Sequence, residues 1–311
     1  MLRYKRLSPE GLTHALSSQM KGEVSAVSYR DSREDYEILE AECSLEGKKQ
    51  SLIIHIYDTQ RSLESGRIES SALDALANQG FPSPVKLLFV EDASLAGAPF
   101  LVMTRPNGER LGDVLSRTPQ AISDWLDDLG NVLSRLHHLP RFDWAAAPRL
   151  LDFAERRVKY WRQIAGAYPQ SPFSAQASEG FEWLHDNYHL LRASSTLSTV
   201  HHHFSPENLF VDEISITAIM GWCRLNISDP ALDVAQMRMF ISTRWGSKHG
   251  ESFLAAYKRR AAVPAASLLY WEVYAAAKQL VQFAQEPQSG GGAEFSQAVY
   301  DFMKVRLIEE A

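Results

Sequence analysis

Three stretches near the start of the chain alternate apolar and polar residues with the period of β-strands. They cover residues 24–29, 36–43 and 51–57, and the last of them, SLIIHIY, is rich in branched and aromatic side chains. The connection RDSRED at 30–35 is charged and contains no glycine. Because short polar connections join these consecutive strands, the pattern predicts an antiparallel meander.

The pattern then changes to a helical period. Apolar residues recur at spacings of three and four over residues 67–79, which predicts a helix with Glu69 in its first turns. Gly80 and Pro82 follow and are typical of a helix end.

Two further apolar runs, at 85–90 and 99–103, predict strands that complete a β-rich region. The second run leads into the polar connector TRPNGERL. We therefore predict a domain boundary near Thr104, with a β-rich lobe at 1–104 and a second domain at 105–311.

The second domain is predicted to be mainly helical. Leucine, tryptophan and other apolar residues recur at helical spacing in most of it. The predicted helices cover residues 121–139, 150–167, 179–191, 230–243, 252–260, 265–285 and 294–308.

A different pattern interrupts these helices at 200–222. The sequence VHHHFSPENLFVDEISITAIM, followed by Gly221 and Trp222, has apolar triplets on both sides of a polar loop that contains Pro206 and Asn208. It predicts a strand, a tight loop and two more short strands, an arrangement that can hold a catalytic loop on a rigid base.

Composition and charge narrow the functional class. With 311 residues, 45% hydrophobic and 23% charged, the chain is long enough to bury a large core in two subdomains. A net charge of -6 gives no general attraction for nucleic acid or an anionic membrane, so we expect neither as a partner.

The location of the protein is inferred from its cysteines and its apolar runs. Cys43 and Cys223 are far apart in the sequence and have no metal-ligand spacing, so we expect buried free thiols of a reducing compartment. Neither a signal peptide nor a run long enough for a membrane span is recognisable, which favours the cytoplasm.

The order of these elements and five short motifs resemble the aminoglycoside phosphotransferase and choline kinase family. In that family the catalytic segment commonly has the form HGDxHxxN, followed by a strand, an IDW-type motif and DPxxDLA. The corresponding segments here, in the same order, are HHHFSPEN, AIMGW and DPALDVA. RLHHLP at 135–140, IESSALDAL and PFLVMTRPNGERL are similar to the family's helix end, lobe-linking helix and hinge.

The resemblance implies a bilobal α+β fold of the protein-kinase type. Its small lobe would contain an antiparallel sheet with one helix, and its larger lobe would be mainly helical, with the catalytic-loop hairpin at 200–222. It also implies phosphoryl transfer from a nucleoside triphosphate, which depends on positioning and on charge neutralisation by Mg²⁺ and basic groups.

The resemblance places His201 at the first histidine of the catalytic motif and Asn208 at its metal-binding asparagine. His203 stands where the family has its catalytic-base aspartate, and His202 stands at the preceding glycine. Gly221 occupies the position of a metal-binding aspartate, so that carboxylate ligand is absent.

The resemblance also places the nucleotide-binding positions. His55 falls at or next to the phosphate-binding lysine, and neutral imidazole is a poor substitute for an ammonium group. Glu69 matches the glutamate that pairs with that lysine, while Met103 and Thr104 lie in the hinge that binds the cofactor. The loop at 30–35 brings carboxylates to a place where close approach of the backbone to phosphate favours glycine.

These departures predict a degenerate, pseudokinase-like member of the family that binds a small molecule or a protein and has no cofactor. The alternative is a divergent but active ATP-dependent phosphotransferase that acts on a small-molecule alcohol. In that case His203 would be the base, since imidazole is a competent base near neutral pH, and Asn208 would hold Mg²⁺.

Several residues permit other interpretations. The run 201–203, or His185 with His189, could bind a transition metal, although a third ligand is not evident. Cys223 or Ser205 could act as a nucleophile beside a histidine.

Other residues of the helical region have structural explanations. Helix capping and loop bracing account for Asp229 and Asp233 without catalysis. The aromatic residues of this region are more typical of a core than of a ligand cage. They are Tyr160, Trp161, Phe181 and Trp183.

Overall fold

The structure is a computed structural model of the chain. It describes residues 9–20, 23–32, 36–45, 47–57, 60–193, 196–286 and 293–309. The second half of the RDSRED connection, residues 33–35, which is predicted to lie near phosphate, falls outside the described residues.

A five-stranded antiparallel sheet forms the N-terminal part, as the alternating pattern predicts. Its strands are β1 (Glu23–Ser32), β2 (Glu37–Leu45), β3 (Lys48–Ile56), β4 (Lys86–Val90) and β5 (Phe100–Thr104). They lie in the order β1-β2-β3-β5-β4, and the first three form the predicted meander.

One face of this sheet packs against a helix that the sequence pattern did not predict. This helix, α1, spans Pro9–Met20, and its Leu12, Ala15 and Leu16 join the core formed by Leu39, Ile54 and other strand residues. The N-terminal sheet is therefore accompanied by two helices, not the single one expected. Apolar residues of α1 are few, since serines, a threonine and a histidine occupy much of it, which explains why its helical period is weak.

The second helix of the N-terminal part, α2, spans Gln60–Asn78 and begins earlier than the predicted 67–79. Glu69 consequently lies in the middle of α2 and not in its first turns. The helix ends as predicted: Gly80 has a φ of 59°, and the N–H of Phe81 donates to the carbonyl of Leu76 at 3.0 Å.

The hairpin at 200–222 contains the predicted short strands, but they belong to two different sheets. β6 (Glu109–Arg110), β8 (Leu209–Val211) and β9 (Ile216–Ile219) form one antiparallel sheet, in the order β6-β8-β9. β7 (Ser198–Val200) pairs instead with β10 (Asn226–Ser228). Two chain segments therefore flank the polar loop, and each is fixed to a separate sheet.

The remainder of the described chain is helical, as predicted. Most helix bounds agree with the periodicity within a few residues, and α9 agrees completely, but the helix predicted at 179–191 begins at Pro172 and ends at Asp186. The helices are α3 (Leu111–Arg117), α4 (Ile122–His137), α5 (Leu150–Gly166), α6 (Pro172–Asp186), α7 (Ala231–Trp245), α8 (Ser247–Lys258), α9 (Ala265–Gln285) and α10 (Ala293–Leu307).

The chain divides into two compact units. The first contains Met1–Arg110 together with Asn208–Leu225, and the second contains Leu111–Glu207 together with Asn226–Ala311. The division therefore follows Arg110 and not Thr104, and most of the hairpin groups with the first unit. The reason is local: the N–H of Ile219 donates to Pro82 at 3.0 Å, and the Thr217 hydroxyl donates to Asn107 at 2.6 Å.

Each unit has its own buried core, and α9 is the centre of the second one. Nearly every residue from Ser267 to Ala284 is buried, as expected of a helix that is surrounded by others. Among the described residues, none of the helices is both long enough and apolar enough to cross a membrane.

Candidate functional site

The loop at 201–203, in the second unit, is held by one buried carboxylate. Asp233, in the first turn of α7, accepts hydrogen bonds from the backbone N–H groups of His201 and His202, each at 2.7 Å. The His137 Nε2 lies 3.4 Å from the same carboxylate. Burial opposes ionisation of Asp233, but His137 and the neighbouring histidines hold its pKa below the ordinary value. Asp233 thus braces the loop, in agreement with the structural interpretation of this residue.

Asp229, at the start of α7, also has a structural set of partners. It accepts hydrogen bonds from the Ala231 N–H at 2.9 Å, from the Trp271 Nε1–H at 2.9 Å and from the Ser267 hydroxyl. The first of these caps α7, and the other two join α7 to α9. All three donors point to a fixed, buried carboxylate whose role is structural.

His202 occupies the family's glycine position in an unusual backbone conformation. Its φ is 69°, the one positive φ of a non-glycine residue in the described part of the chain. The imidazole is buried, its Nε2 lies 2.7 Å from Asn226 Oδ1, and its ring centroid lies 5.4 Å from that of Phe153. Burial lowers the pKa of His202 to about 4, against the attraction of Asp233, so the ring is neutral at pH 7.

His203, which stands at the catalytic-base position, is half-buried. Its backbone N–H donates to His201 Nδ1 at 3.1 Å, and His201 is fully buried. Because Nδ1 of His201 accepts a hydrogen bond, its ring proton resides on Nε2. The loop therefore brings His201 and His203 together, although through the backbone of His203 and not through its imidazole.

Asn208 and Gly221, the two predicted metal positions, lie side by side in the first unit. The N–H of Met220 donates to the Asn208 carbonyl at 2.8 Å. Gly221 has a φ of 83°, and a Cβ added there would lie 3.6 Å from the Asn208 amide group. The two positions that the family resemblance assigns to metal binding are therefore neighbours in space.

These two residues do not form the ligand set that Mg²⁺ selects. Mg²⁺ is bound through oxygen ligands, usually with one or two carboxylates. Asn208 can supply one amide oxygen, and Gly221 has no side chain to supply another. Its positive φ also disfavours most side chains, although aspartate and asparagine tolerate this region better than other residues do.

His55 and Glu69, which stand at the positions that the family resemblance assigns to a lysine–glutamate pair, meet in the first unit. His55 Nδ1 lies 2.9 Å from Glu69 Oε2, and both side chains are at most 1% exposed. The Tyr57 hydroxyl donates to Oε2 at 2.8 Å, and the backbone N–H of Trp222 donates to Oε1 at 3.2 Å. Tyr36 stacks on the His55 ring with centroids 3.9 Å apart. We call His55, Tyr57, Glu69 and the Trp222 N–H the Glu69 cluster.

The electrostatics of the Glu69 cluster favour an ionised carboxylate. Burial opposes ionisation, but the interactions with His55, Tyr57 and Trp222 lower the pKa of Glu69 below its ordinary value. Burial, followed by the charge of Glu69, raises the pKa of Tyr57 well above its usual range, so its hydroxyl remains a donor. Three donors therefore satisfy the Glu69 carboxylate.

One atom of this cluster has no hydrogen-bond partner within the described chain. His55 Nε2 is buried, and the residues described around it offer neither donor nor acceptor to it. A lysine at this position would present three N–H donors, whereas the imidazole uses one nitrogen for Glu69 and has one remaining. The imidazole therefore offers fewer N–H donors at this position than a lysine would.

Met103 and Thr104, the predicted hinge residues, belong to strand β5. Met103 is fully buried and pairs with Ile53 of β3 and Lys86 of β4. Thr104 donates its N–H to the Val85 carbonyl at 2.9 Å and accepts from the Val85 N–H through its hydroxyl at 3.0 Å. The N–H and the hydroxyl of Thr104 are thus both engaged by Val85, the residue before β4.

The other histidine positions show no clustered metal ligands. His185 lies in the last turn of α6 and His189 in a 3₁₀ turn beyond it, so they do not share one α-helical face. Within the described ranges, no group of three or more His, Cys, Asp and Glu side chains could hold a metal ion. Cys43 and Cys223 are buried free thiols, as the sequence predicted.

Tyr57 and the Trp222 N–H are components of the site that the sequence reasoning missed. Tyr57 lies two residues after His55, and alternate residues of a strand share a face, so this relation could have been found from the sequence. The Trp222 N–H could not, because it depends on how the turn after β9 is placed against α2.

Known proteins resemble the chain in sequence. The sequence profile of the phosphotransferase enzyme family matches residues 42–279, which is well over half of the chain. Acyl-CoA dehydrogenase family member 10 of Mus musculus is 28% identical over 173 residues. That match covers 54% of this chain but 16% of the mouse protein, so the chain spans a small part of that relative.

Solved structures resemble the chain in fold. A mutant of aminoglycoside phosphotransferase APH(4)-Ia, in a ternary complex with AMP-PNP and hygromycin B, has a TM-score of 0.68 at 14% identity, covering 96% of this chain and 97% of that one. Choline kinase LicA from Streptococcus pneumoniae has a TM-score of 0.65 at 14% identity, covering 96% and 98%. At such low identity these comparisons establish a shared fold, which is mixed α/β with an antiparallel N-terminal sheet and a helical C-terminal part.

Proposed function

Because the chain belongs to the phosphotransferase enzyme family, we propose that it is a member that has lost Mg-ATP chemistry and binds a small molecule instead. The Glu69 cluster is the single observation that supports this proposal most strongly. Where the family resemblance implies an ammonium group for phosphates, a buried imidazole is hydrogen-bonded to Glu69 at 2.9 Å.

The neighbouring metal positions give further support. Phosphoryl transfer depends on a metal and on fixed positive charge to neutralise the transferred group. Gly221 supplies no carboxylate beside Asn208, and His55 supplies no ammonium. If these losses raise the barrier by about 4 kcal/mol, the rate falls roughly a thousandfold.

One observation favours the alternative of a divergent active phosphotransferase. Asp233 still braces the backbone of the 201–203 loop, and His203 is half-buried, so an imidazole base could act there. The loss of two other charged positions outweighs this feature, because a base cannot replace charge neutralisation of the transferring phosphoryl group.

Release of ADP from Mg-ATP tests the proposal. We expect ADP formation by the purified chain to equal the buffer control, both alone and with choline or hygromycin B, the acceptors named for related proteins. Acceptor-stimulated ADP formation that disappears in His203→Ala or Asn208→Ala would establish the alternative and overturn the proposal.

A further inference from the structure

The connection between helices α4 and α5 of the second unit exposes an apolar segment. Residues 139–151 have the sequence LPRFDWAAAPRLL, in which ten of the thirteen residues are apolar when the two prolines are counted. Each of these ten is exposed or partly exposed, and none is buried. Trp144 is 41% exposed and Leu151 is 38% exposed. Apolar surface of this kind marks a place of interaction, because it is unfavourable to leave in water.

Hydrogen bonds at two points attach this segment to the rest of the second unit. Arg141 Nη2 donates to the Leu197 carbonyl at 2.8 Å. Further along, the N–H of Ile227 in β10 donates to the Ala146 carbonyl at 2.8 Å. The apolar side chains are therefore presented on an anchored backbone, so that docking on them requires less ordering of the chain.

The two aromatic rings of the segment are aligned by a turn. The N–H of Ala145 donates to the Phe142 carbonyl at 2.9 Å, and the rings of Phe142 and Trp144 stack with centroids 5.6 Å apart and an interplanar angle of 4°. Ordered tryptophan side chains are common among those that dominate protein–protein binding.

Charged residues lie symmetrically about the centre of the segment. Asp143 is three residues before Ala146 and Arg149 is three residues after it. Asp143 is exposed, and the Arg149 side chain is 87% exposed. Arg149 Nε lies 3.8 Å from Asp152 Oδ2, but a pair between such exposed groups contributes little. Opposite charges on the two arms of one segment suit a contact between identical copies, because a two-fold axis brings each arm against the other arm of the second copy.

We propose that residues 139–151 form a contact between two copies of this chain, related by a two-fold axis near Ala146. Asp143 of each copy then faces Arg149 of the other. The residues nearest the axis are the small Ala145, Ala146 and Ala147, which allow close approach, while Trp144 contacts the apolar residues of the other copy. This contact goes beyond the proposed function and does not depend on it.

A second copy fits this surface better than an anionic membrane does. The segment contains Arg141 and Arg149, but Asp143 and Asp152 accompany them, and the chain as a whole has a net charge of -6. We expect the dimer to be reversible, since thirteen residues are fewer than the roughly 20–30 that each partner contributes to a standard interface.

Sedimentation velocity of the full chain over a series of concentrations tests the proposal. We expect the sedimentation coefficient to rise from that of a monomer to that of a dimer as the concentration increases. Trp144→Ser should weaken the dimer by roughly tenfold or more. Ile214→Ser, which removes an 84% exposed apolar side chain of the first unit, is the control and should leave it unchanged. A wild-type chain that is monomeric at every concentration, or a dimer that Trp144→Ser does not weaken, overturns the proposal.

Exchange of charges tests the two-fold arrangement and does not alter any buried residue. Asp143→Arg and Arg149→Asp each place like charges against each other in a homodimer, so each alone should weaken association by roughly tenfold or more. A mixture of the two variants should form a heterodimer, because both of its facing pairs are then opposite in charge. The double variant Asp143→Arg/Arg149→Asp should dimerise again for the same reason. If neither the mixture nor the double variant recovers the dimer, the assignment is wrong.

Vesicle binding distinguishes the other occupant. The wild-type chain is mixed with phosphatidylcholine vesicles with and without phosphatidylserine, and the bound fraction is measured by cosedimentation. We expect no binding to either. Binding that Trp144→Ser abolishes, by a chain that remains monomeric in solution, would identify a lipid surface as the occupant and overturn the dimer.

Discussion

At the scale of single residues, the imidazole of His55 stands where the family resemblance implies an ammonium group. This difference changes the number of N–H donors that the partner of Glu69 can offer to phosphate. An ammonium paired with a carboxylate has two further N–H donors for phosphate, but an imidazole has one other nitrogen at most. Glu69 is satisfied by His55, Tyr57 and the Trp222 N–H, and all of them are buried. The carboxylate is therefore fully engaged by groups of the first unit.

Removal of the charge of Glu69 should destabilise the fold. Hydrogen bonds to a charged group contribute about 1.5–3 kcal/mol each, and donors left without an acceptor add to the cost. For Glu69→Gln we expect the free energy of unfolding to fall by about 2–4 kcal/mol in urea denaturation, since the amide accepts through one oxygen only. Glu64→Gln, on the exposed side of α2, is the control and should leave stability unchanged. Equal stability of both variants would contradict the structural role of Glu69.

His202 should make stability depend on pH in the acidic range. Its pKa is about 4 in the folded protein against an ordinary value of 6.5, so the unfolded chain binds a proton between these values and the folded chain does not. Stability is therefore complete above pH 6.5 and is lost as the pH falls toward 4, by about 3 kcal/mol in total.

The variant His202→Asn isolates this contribution, because asparagine tolerates a positive φ and does not titrate. We expect urea denaturation between pH 7 and pH 4 to show a smaller loss of stability in His202→Asn than in the wild type. Identical pH profiles would show that His202 is not the group responsible.

At the scale of elements, periodicity predicted helices and strands where one face of the element is apolar. The bounds of α9 were predicted completely because almost all of it is apolar and buried. α1 was missed because its core contribution consists of few residues among polar ones, and the first two turns of α2 were missed because QRSLES lacks a helical apolar period. The pairing of β7 with β10 depends on residues far apart in sequence, which periodicity does not report.

Only part of the candidate site could be predicted from the sequence. The family resemblance assigned Asn208 and Gly221 to metal binding and His55 and Glu69 to one pair of positions. In the structure the members of each pair are neighbours, because the order of elements determines which strand ends and helices meet. The Trp222 N–H and the Asp233 brace are contacts of tertiary structure.

The contribution of α1 can be measured directly. Leu16 is fully buried against the sheet, so Leu16→Ala should lower the free energy of unfolding by about 2–5 kcal/mol, the cost of a large core truncation. His14→Ala, at an exposed position of the same helix, should have little effect. If the two substitutions cost the same in urea denaturation, α1 does not pack on the sheet as described.

At the scale of the whole molecule, the chain has the fold of the phosphotransferase enzyme family. The residues at the positions that the resemblance assigns to charged groups differ from those of the family motif. TM-scores of 0.65–0.68 at 14% identity mean that the apolar pattern, which determines the packing of sheets and helices, is sufficient for the family's architecture. The first unit contains the Glu69 cluster with Asn208 and Gly221, and the second contains the 201–203 loop. The positions that the family resemblance assigns to a lysine and two aspartates are His55, His203 and Gly221 in this chain, and the proposed loss of Mg-ATP chemistry rests on them.

Binding of Mg-ATP tests the central claim most directly. A ligand present at a hundred times its dissociation constant stabilises the folded state by about 2.7 kcal/mol, which raises the melting temperature by several degrees. We predict no change in the melting temperature of the wild-type chain at millimolar Mg-ATP. A saturable, Mg²⁺-dependent increase that Asn208→Ala abolishes would contradict the account.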